Sequence, residues 1–195
     1  MTAAEAEAFE RCIAAGGVAL FPSDTVYGLA TDPESEDGVA RLYELKGRPS
    51  DRPAAVMFFD LETALAAVPE LGERTRAALG RLLPGPVTLL LANPARRFPL
   101  ACGPEPERLG LRVPAFEGPG RPVLQSSANR SGEPDARRLG DVPAGIRAAV
   151  DLELDGGELP GTPSTVVDLT RYEATGEHVV VREGAVSAAD VGAAV

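Results

Sequence analysis

Histidine and lysine are almost missing from this chain of 195 residues, which has one histidine, His178, and one lysine, Lys46, among nineteen basic side chains. A single imidazole excludes a Ser-His-Asp triad, a histidine-built zinc centre and a two-histidine iron site. His178 opens the apolar run Val179-Val180-Val181 and reads as a strand-end residue. The two cysteines, Cys12 and Cys102, supply neither a disulfide framework nor metal-ligand spacing; Cys12 is expected in the core and Cys102 in a loop. No run of eighteen apolar residues occurs, and Met1-Thr2-Ala3-Ala4-Glu5 lacks the basic-then-apolar order of a secretory leader. A cytoplasmic protein without membrane contact is therefore expected. Gly-x-x-x-x-Gly-Lys-Ser/Thr and Gly-x-Gly-x-x-Gly after a strand are both absent, so neither a P-loop nor a dinucleotide fold is supported. Any phosphate site has to be assembled from scattered Lys, Arg and Ser side chains and backbone amides.

Acidic residues outnumber basic ones by 29 to 19, a net charge of −10. Such a surface repels a polyanion at long range, which counts against extended, salt-driven binding to nucleic acid, while a local cationic pocket remains compatible. The length suits one core, and no repeat or linker divides the chain, so residues 1–195 read as a single domain. Ala6, Phe9, Cys12 and Ile13 share one face of an opening helix that stops at Gly16-Gly17, and a second helix carries Val39, Leu42 and Tyr43 on its inner stripe. Strand patterns run over 18–21, 54–59, 87–91, 109–113, 123–125, 150–154, 165–169 and 179–181, with helices near 61–67 and 70–83. The fold class is α+β, a twisted mixed sheet of about seven strands with flanking helices.

Lys46 has two readings. It ends the second helix, facing the negative end of the dipole with Gly47 as left-handed cap, and it also continues the inner stripe, so its ammonium can point into the interior or a cleft. Phe21-Pro22-Ser23-Asp24-Thr25-Val26-Tyr27-Gly28 places hydroxyls, a carboxylate and a phenol directly after a buried strand, where α/β folds bind ligands. Ser127-Ala128-Asn129 does the same after strand 123–125 and adds an uncharged hydroxyl and amide. Each loop reads equally as a capped turn. Arg112, Arg182, Ser164 and Thr165 contribute donors beside strands. The residues alone lead to a polar, cation-lined cleft of unspecified substrate.

At these positions the chain resembles the YrdC-domain family, the threonylcarbamoyl-AMP synthases of tRNA modification. The resemblance runs through Gly17–Gly28, Leu42–Pro53, Pro84-Gly85-Pro86-Val87-Thr88, Leu111-Arg112-Val113-Pro114, Ser127-Ala128-Asn129-Arg130-Ser131-Gly132, Ser164-Thr165-Val166-Val167-Asp168 and Arg182-Glu183-Gly184-Ala185, in family order. It implies a YrdC/RibB-like fold and a nucleotidyltransferase that makes threonylcarbamoyl-AMP and pyrophosphate from L-threonine, bicarbonate and ATP. Mg²⁺ would accompany the nucleotide, with no metal ligand from protein side chains. The threonylcarbamoyl group would pass to tRNA adenosine 37 through transient contact with a separate transfer complex. A double-stranded RNA or tRNA-binding module, and a paralogue without synthase activity, are the alternatives.

Carried over residue by residue, Lys46 and Arg48 resemble the family's Lys-x-Arg pair, the catalytic charges on ATP phosphates and carbamate. Ser127 and Asn129 resemble its Ser-x-Asn motif near the α-phosphate, and Arg182 would lie by the nucleotide. Ser23, Arg112 and Ser164 would hold threonine, Arg112 taking the carboxylate in a bidentate pair. Tyr27 and Gln125 would line the pocket wall. Ser23 departs from the family's usual threonine, Gln125-Ser126 from Ala-Pro, and Thr162-Pro163 from Val-Glu. Losing the proline frees a backbone that the family's pattern fixes. Some members carry a second C-terminal domain, for which the stretch after Arg182-Glu183-Gly184 is expected to leave no room.

Overall fold

A computed structural model describes residues 1–49, 51–116 and 118–195; Ser50, inside the resembling segment 42–53, lies outside them. Helix α1 (Ala3–Ala14) starts in a reciprocal capping box between Thr2 and Glu5 and buries Phe9 and Ile13. Strands β1 (Ala19–Pro22) and β2 (Tyr27–Thr31) form a hairpin, followed by α2 (Glu36–Lys46). Ser35 caps α2 at its start, and Gly47, at φ 56° and ψ 34°, ends it in the left-handed conformation that glycine adopts without a Cβ penalty. Then come β3 (Ala55–Met57), α3 (Leu61–Ala67), α4 (Glu73–Leu82), β4 (Val87–Ala92), α5 (Pro99–Cys102), β5 (Arg108–Arg112) and β6 (Val123–Ser127). The chain closes with α6 (Ala144–Arg147), β7 (Leu152–Glu153), β8 (Thr165–Asp168), α7 (Tyr172–Thr175), β9 (Val179–Arg182) and α8 (Ala188–Ala194).

The strands make one mixed sheet in the order β7-β1-β2-β6-β3-β5-β4-β8-β9, with parallel pairs β1/β7, β3/β5 and β4/β8. Side chains alternate across it, and the two faces meet different fates. Leu20, Leu29, Val56, Leu89, Leu111, Leu124 and Val167 face the layer that contains α2 through α8 and form the larger core with Leu42, Leu79, Ile146 and Val191. Ala19, Phe21, Ala30, Met57 and Val123 face the other way, against Phe9 and Ile13 of α1. The second face over β5, β4 and β8 has no such cover and becomes the cleft described below.

Nine strands replace the expected seven or so among the described residues. The largest omission is β2, whose residues are all buried and so show no period-two alternation; Gly28 within it reads as a turn residue in sequence. Helices α5, α6 and α7 span four residues each and are too short to display a helical period. Two placements are corrected. Cys12 flanks the Phe9/Ile13 stripe and is only half-buried, while Cys102 ends α5 and is buried, accepting a hydrogen bond from Asn93 Nδ2 at 3.6 Å. No helix among the described residues is long and apolar enough to cross a membrane.

Candidate active site

The cleft has a volume of about 290 Å³ and a floor made of the sheet itself. Two rows of residues cross that floor. Gln125, Ala55, Gly110 and Leu90 lie opposite one another in register, and beside them run Arg112, Thr88, Val166 and Arg182. The first row is low because its centre is alanine and glycine; a Cβ at Gly110 would approach the Ala54 carbonyl oxygen to 3.1 Å. Walls are added by Thr25 and Val26, Arg48, Ser126 and Ser127, and Pro163 and Ser164.

Arg112 ends β5 and is only 3% exposed. Its Nη2 donates to Thr25 Oγ1 at 2.9 Å and to Asp24 Oδ1, while Nε is buried without a partner, as is Asp24 Oδ2. Burial pulls its pKa down; Asp24 opposes that pull and neighbouring Arg182 adds to it. Next to Arg112 on the sheet, Thr88 Oγ1 and Ser164 Oγ lie 2.8 Å apart, and Arg182 Nη2 donates to the Ser164 carbonyl at 2.7 Å.

On the opposite wall, Arg48 Nη1 donates to Ser126 Oγ at 3.1 Å and Nη2 to the Pro53 carbonyl, and the guanidinium lies 5.7 Å from the Tyr43 ring centroid. Its Nε is buried without a partner, and burial lowers its pKa. Behind this wall stands Lys46, 2% exposed. Its ammonium donates to the carbonyls of Ser127 and Asn129 (2.9 Å for the latter) and to Asn129 Oδ1 at 3.0 Å. Ser127 Oγ donates to the same Oδ1 at 2.7 Å, so lysine, serine and asparagine form one network. Burial, and secondarily Arg48, lower the Lys46 pKa to about 8. Among the described residues no carboxylate comes within ion-pair distance of Lys46, Arg48 or Arg182, whereas surface arginines such as Arg97, Arg137 and Arg147 are paired.

The structure thus gathers Arg48, Arg112, Gln125, Ser127, Ser164 and Arg182 around one cleft, with Asn129 and Lys46 bonded behind the Ser127 edge. Two expected wall or pocket residues do not line it. Ser23 Oγ donates to the Val26 carbonyl at 2.6 Å and accepts the Thr25 and Val26 N–H groups at 3.4 Å, which closes a local turn and presents Thr25 instead. Tyr27 is fully buried on the larger-core face; its hydroxyl donates towards Asp155 Oδ1 and the Gly157 carbonyl and accepts the Gly156 N–H, each at 2.9 Å. It anchors the segment that leads to Ser164. Asp24, Thr25, Thr88 and Ser126 lie in segments that the sequence singles out, but none carries an individual role there; the structure brings Thr25, Thr88 and Ser126 to the cleft and pairs Asp24 with Arg112. The Pro-Gly-Pro-Val-Thr segment pointed at Thr88, but only the strand register shows which face it takes. Gln125 fits because Gly28, diagonal to it on β2 and opposite Ser127, has no side chain: a Cβ there would lie 2.6 Å from Gln125 Nε2.

A family model described as telomere recombination, covering Sua5, YciO and YrdC proteins, matches residues 11–184. A threonylcarbamoyl-AMP synthase of Chromohalobacter salexigens is 35% identical over 169 residues, which are 81% of this chain and 89% of that protein. A threonylcarbamoyl-AMP synthase of Pyrococcus abyssi is 32% identical over 80% of this chain but only 48% of its own length, so the chain spans about half of that relative. The crystal structure of P. abyssi Sua5 complexed with L-threonine superposes with a TM-score of 0.87 at 27% identity, over 100% of this chain and 58% of that one. With most of its length matched by the family model and its sheet superposing on Sua5, the chain belongs to the Sua5/YciO/YrdC family.

Proposed function

We propose that the protein is a threonylcarbamoyl-AMP synthase: L-threonine, bicarbonate and ATP give threonylcarbamoyl-AMP, pyrophosphate and water. The observation that carries this reading is the cleft's two anion-seeking ends. One is Arg112, which lines the cleft beside its partner Asp24; the other is Arg48 with the Ser127–Asn129 edge, free of carboxylate partners among the described residues. The first suits an amino-acid carboxylate and the second a phosphate. Relatives bearing the synthase name, and a superposing Sua5 with threonine bound, support the assignment.

The amine of threonine captures CO₂ from bicarbonate as a carbamate, whose oxygen attacks the α-phosphorus and expels pyrophosphate. Carbamate is a weak nucleophile and the chain offers no strong base, so positioning and charge neutralisation carry the rate. In this proposal Arg48 and Arg182 face the nucleotide, Ser127 contacts the α-phosphate, and Arg112 and Ser164 hold threonine. Asn129 orients Ser127. Lys46 acts on the phosphate from behind: its buried charge backs the loop and its three hydrogen bonds shape it. Ser23 contributes through the turn that presents Thr25. Ser126, where the family's pattern has proline, anchors Arg48. In this reading Mg²⁺ accompanies the nucleotide substrate, bridging its phosphates as such ions commonly do.

A thermal-shift panel tests binding. ATP and threonine are each expected to raise the midpoint, since ligands that bind only the folded state stabilise it by mass action, and both together with bicarbonate are expected to raise it most. No shift with any of them contradicts the reading. The net charge of −10 further predicts that a gel shift with bare tRNA at physiological salt shows no stable complex. Retardation that survives the higher of two salt concentrations would favour an RNA-binding module instead.

A further inference from the structure

We propose that Thr88, paired with Ser164, reads the side-chain hydroxyl of the amino-acid substrate and so determines its specificity. The inference rests on the synthase reading for the identity of the amino acid, but its geometry is independent of the nucleotide. Thr88 lies directly opposite Arg112 across the β4/β5 ladder, on the cleft face. Directly opposed side chains in a sheet stand about 5 Å apart at Cβ. Both residues line the cleft, so an α-amino acid held by its carboxylate at Arg112 presents its β-substituents to Thr88.

The chemistry of the pair selects a hydroxyl. Thr88 Oγ1 and Ser164 Oγ are 2.8 Å apart and either can donate. One of their two protons is used between them and Ser164 Oγ also accepts from Arg182 Nη2 at 3.5 Å, which leaves one donor and the remaining lone pairs for a ligand. A ligand hydroxyl can accept that remaining proton and donate in turn, whereas a methyl group leaves the donor unsatisfied. On the other side of Thr88, Val166 of β8 stands in register and offers an apolar surface for a β-methyl group. The corner thus fits a substrate with a hydroxyl and a methyl on the same carbon.

Ser164 is also held rigidly enough to discriminate. Arg182 Nη2 donates to its carbonyl at 2.7 Å, and Ala185 N donates to the preceding Pro163 carbonyl at 2.9 Å. That close approach depends on Gly184, where a Cβ would lie 2.2 Å from the Pro163 oxygen. A preorganised hydroxyl pair rejects an analogue that leaves it unsatisfied far more strongly than a loose one does.

The test is titration calorimetry of L-threonine, L-serine and L-2-aminobutyrate, which lacks the hydroxyl, into wild type, Thr88→Val, Thr88→Ser and Ser164→Ala. Valine keeps the branched shape and strand preference of threonine while removing the hydroxyl. Wild type is expected to bind threonine at least about 100-fold more tightly than 2-aminobutyrate. Thr88→Val is expected to lower that ratio about tenfold or more by weakening threonine alone, Ser164→Ala to do the same, and Thr88→Ser to restore it. A ratio unchanged in Thr88→Val and Ser164→Ala, or equal weakening of both ligands, overturns the proposal. Should Thr88→Val fail to fold, Ser164→Ala and Thr88→Ser decide by the same ratio. Binding is read separately from pyrophosphate release, so loss of discrimination and absence of synthase activity are distinct results.

Discussion

Lys46→Met is expected to slow adenylate formation by about 10²–10³-fold, the effect of removing one preorganised charge-stabilising donor from an active site. Methionine keeps the length of the stem but removes the ammonium's bonds to the Ser127 and Asn129 carbonyls and to Asn129 Oδ1, which keeps only the Ser127 hydroxyl. Stability also falls, because each buried acceptor left unsatisfied costs about 1–3 kcal/mol. A lysine that only faced a helix dipole would cost under about 1 kcal/mol, so the stability change itself separates the two readings. Lys46→Arg is expected to be poor as well, since a planar fork cannot reproduce three convergent bonds from one nitrogen. The pH profile adds a sign. With its pKa lowered to about 8, the ammonium is present below that pH and lost above it, so kcat/KM for ATP falls as pH rises through about 8. Steady-state rates and denaturant titrations of the variants measure all of this; near-wild-type turnover in Lys46→Met removes the lysine from the mechanism.

Arg112→Ala is expected to abolish threonine binding and to cost about 3–5 kcal/mol of stability, because it leaves Asp24 as an uncompensated buried charge. The pair is almost wholly enclosed, with side-chain exposures of 4% for Arg112 and 10% for Asp24. The two losses separate in a second variant. Arg112→Met combined with Asp24→Asn removes both charges and should recover most of the stability while binding no threonine. Denaturation midpoints and calorimetry decide it. Threonine affinity retained in the stable double variant would show that the carboxylate is held elsewhere.

Much of this site is legible in the sequence, because each motif lies at a strand or helix end and periodicity locates those ends. Lys46 is the clearest case: its helix, its glycine cap and its inward stripe position can all be read from residues 39–47. What the stripe does not say is what the ammonium meets, since Asn129 is 83 positions away and arrives through sheet order. Ser23 illustrates the opposite limit. Its hydroxyl looks available in a polar loop, but the turn consumes it and hands the cleft to Thr25, a choice made by backbone geometry that composition does not encode. Tyr27 was misplaced for a related reason. A strand buried on both faces carries no alternation, so the face taken by its aromatic ring is not written in the pattern. Thr88 stayed hidden because its meaning depends on standing opposite Arg112.

Pyrophosphate release, measured with ATP, threonine and bicarbonate present together and with each omitted in turn, tests the central claim most directly. The account predicts release only when all three are present, with label from ¹³C-bicarbonate appearing in the adenylate. Release that ignores threonine, or that proceeds without bicarbonate and yields an unlabelled adenylate, would contradict it.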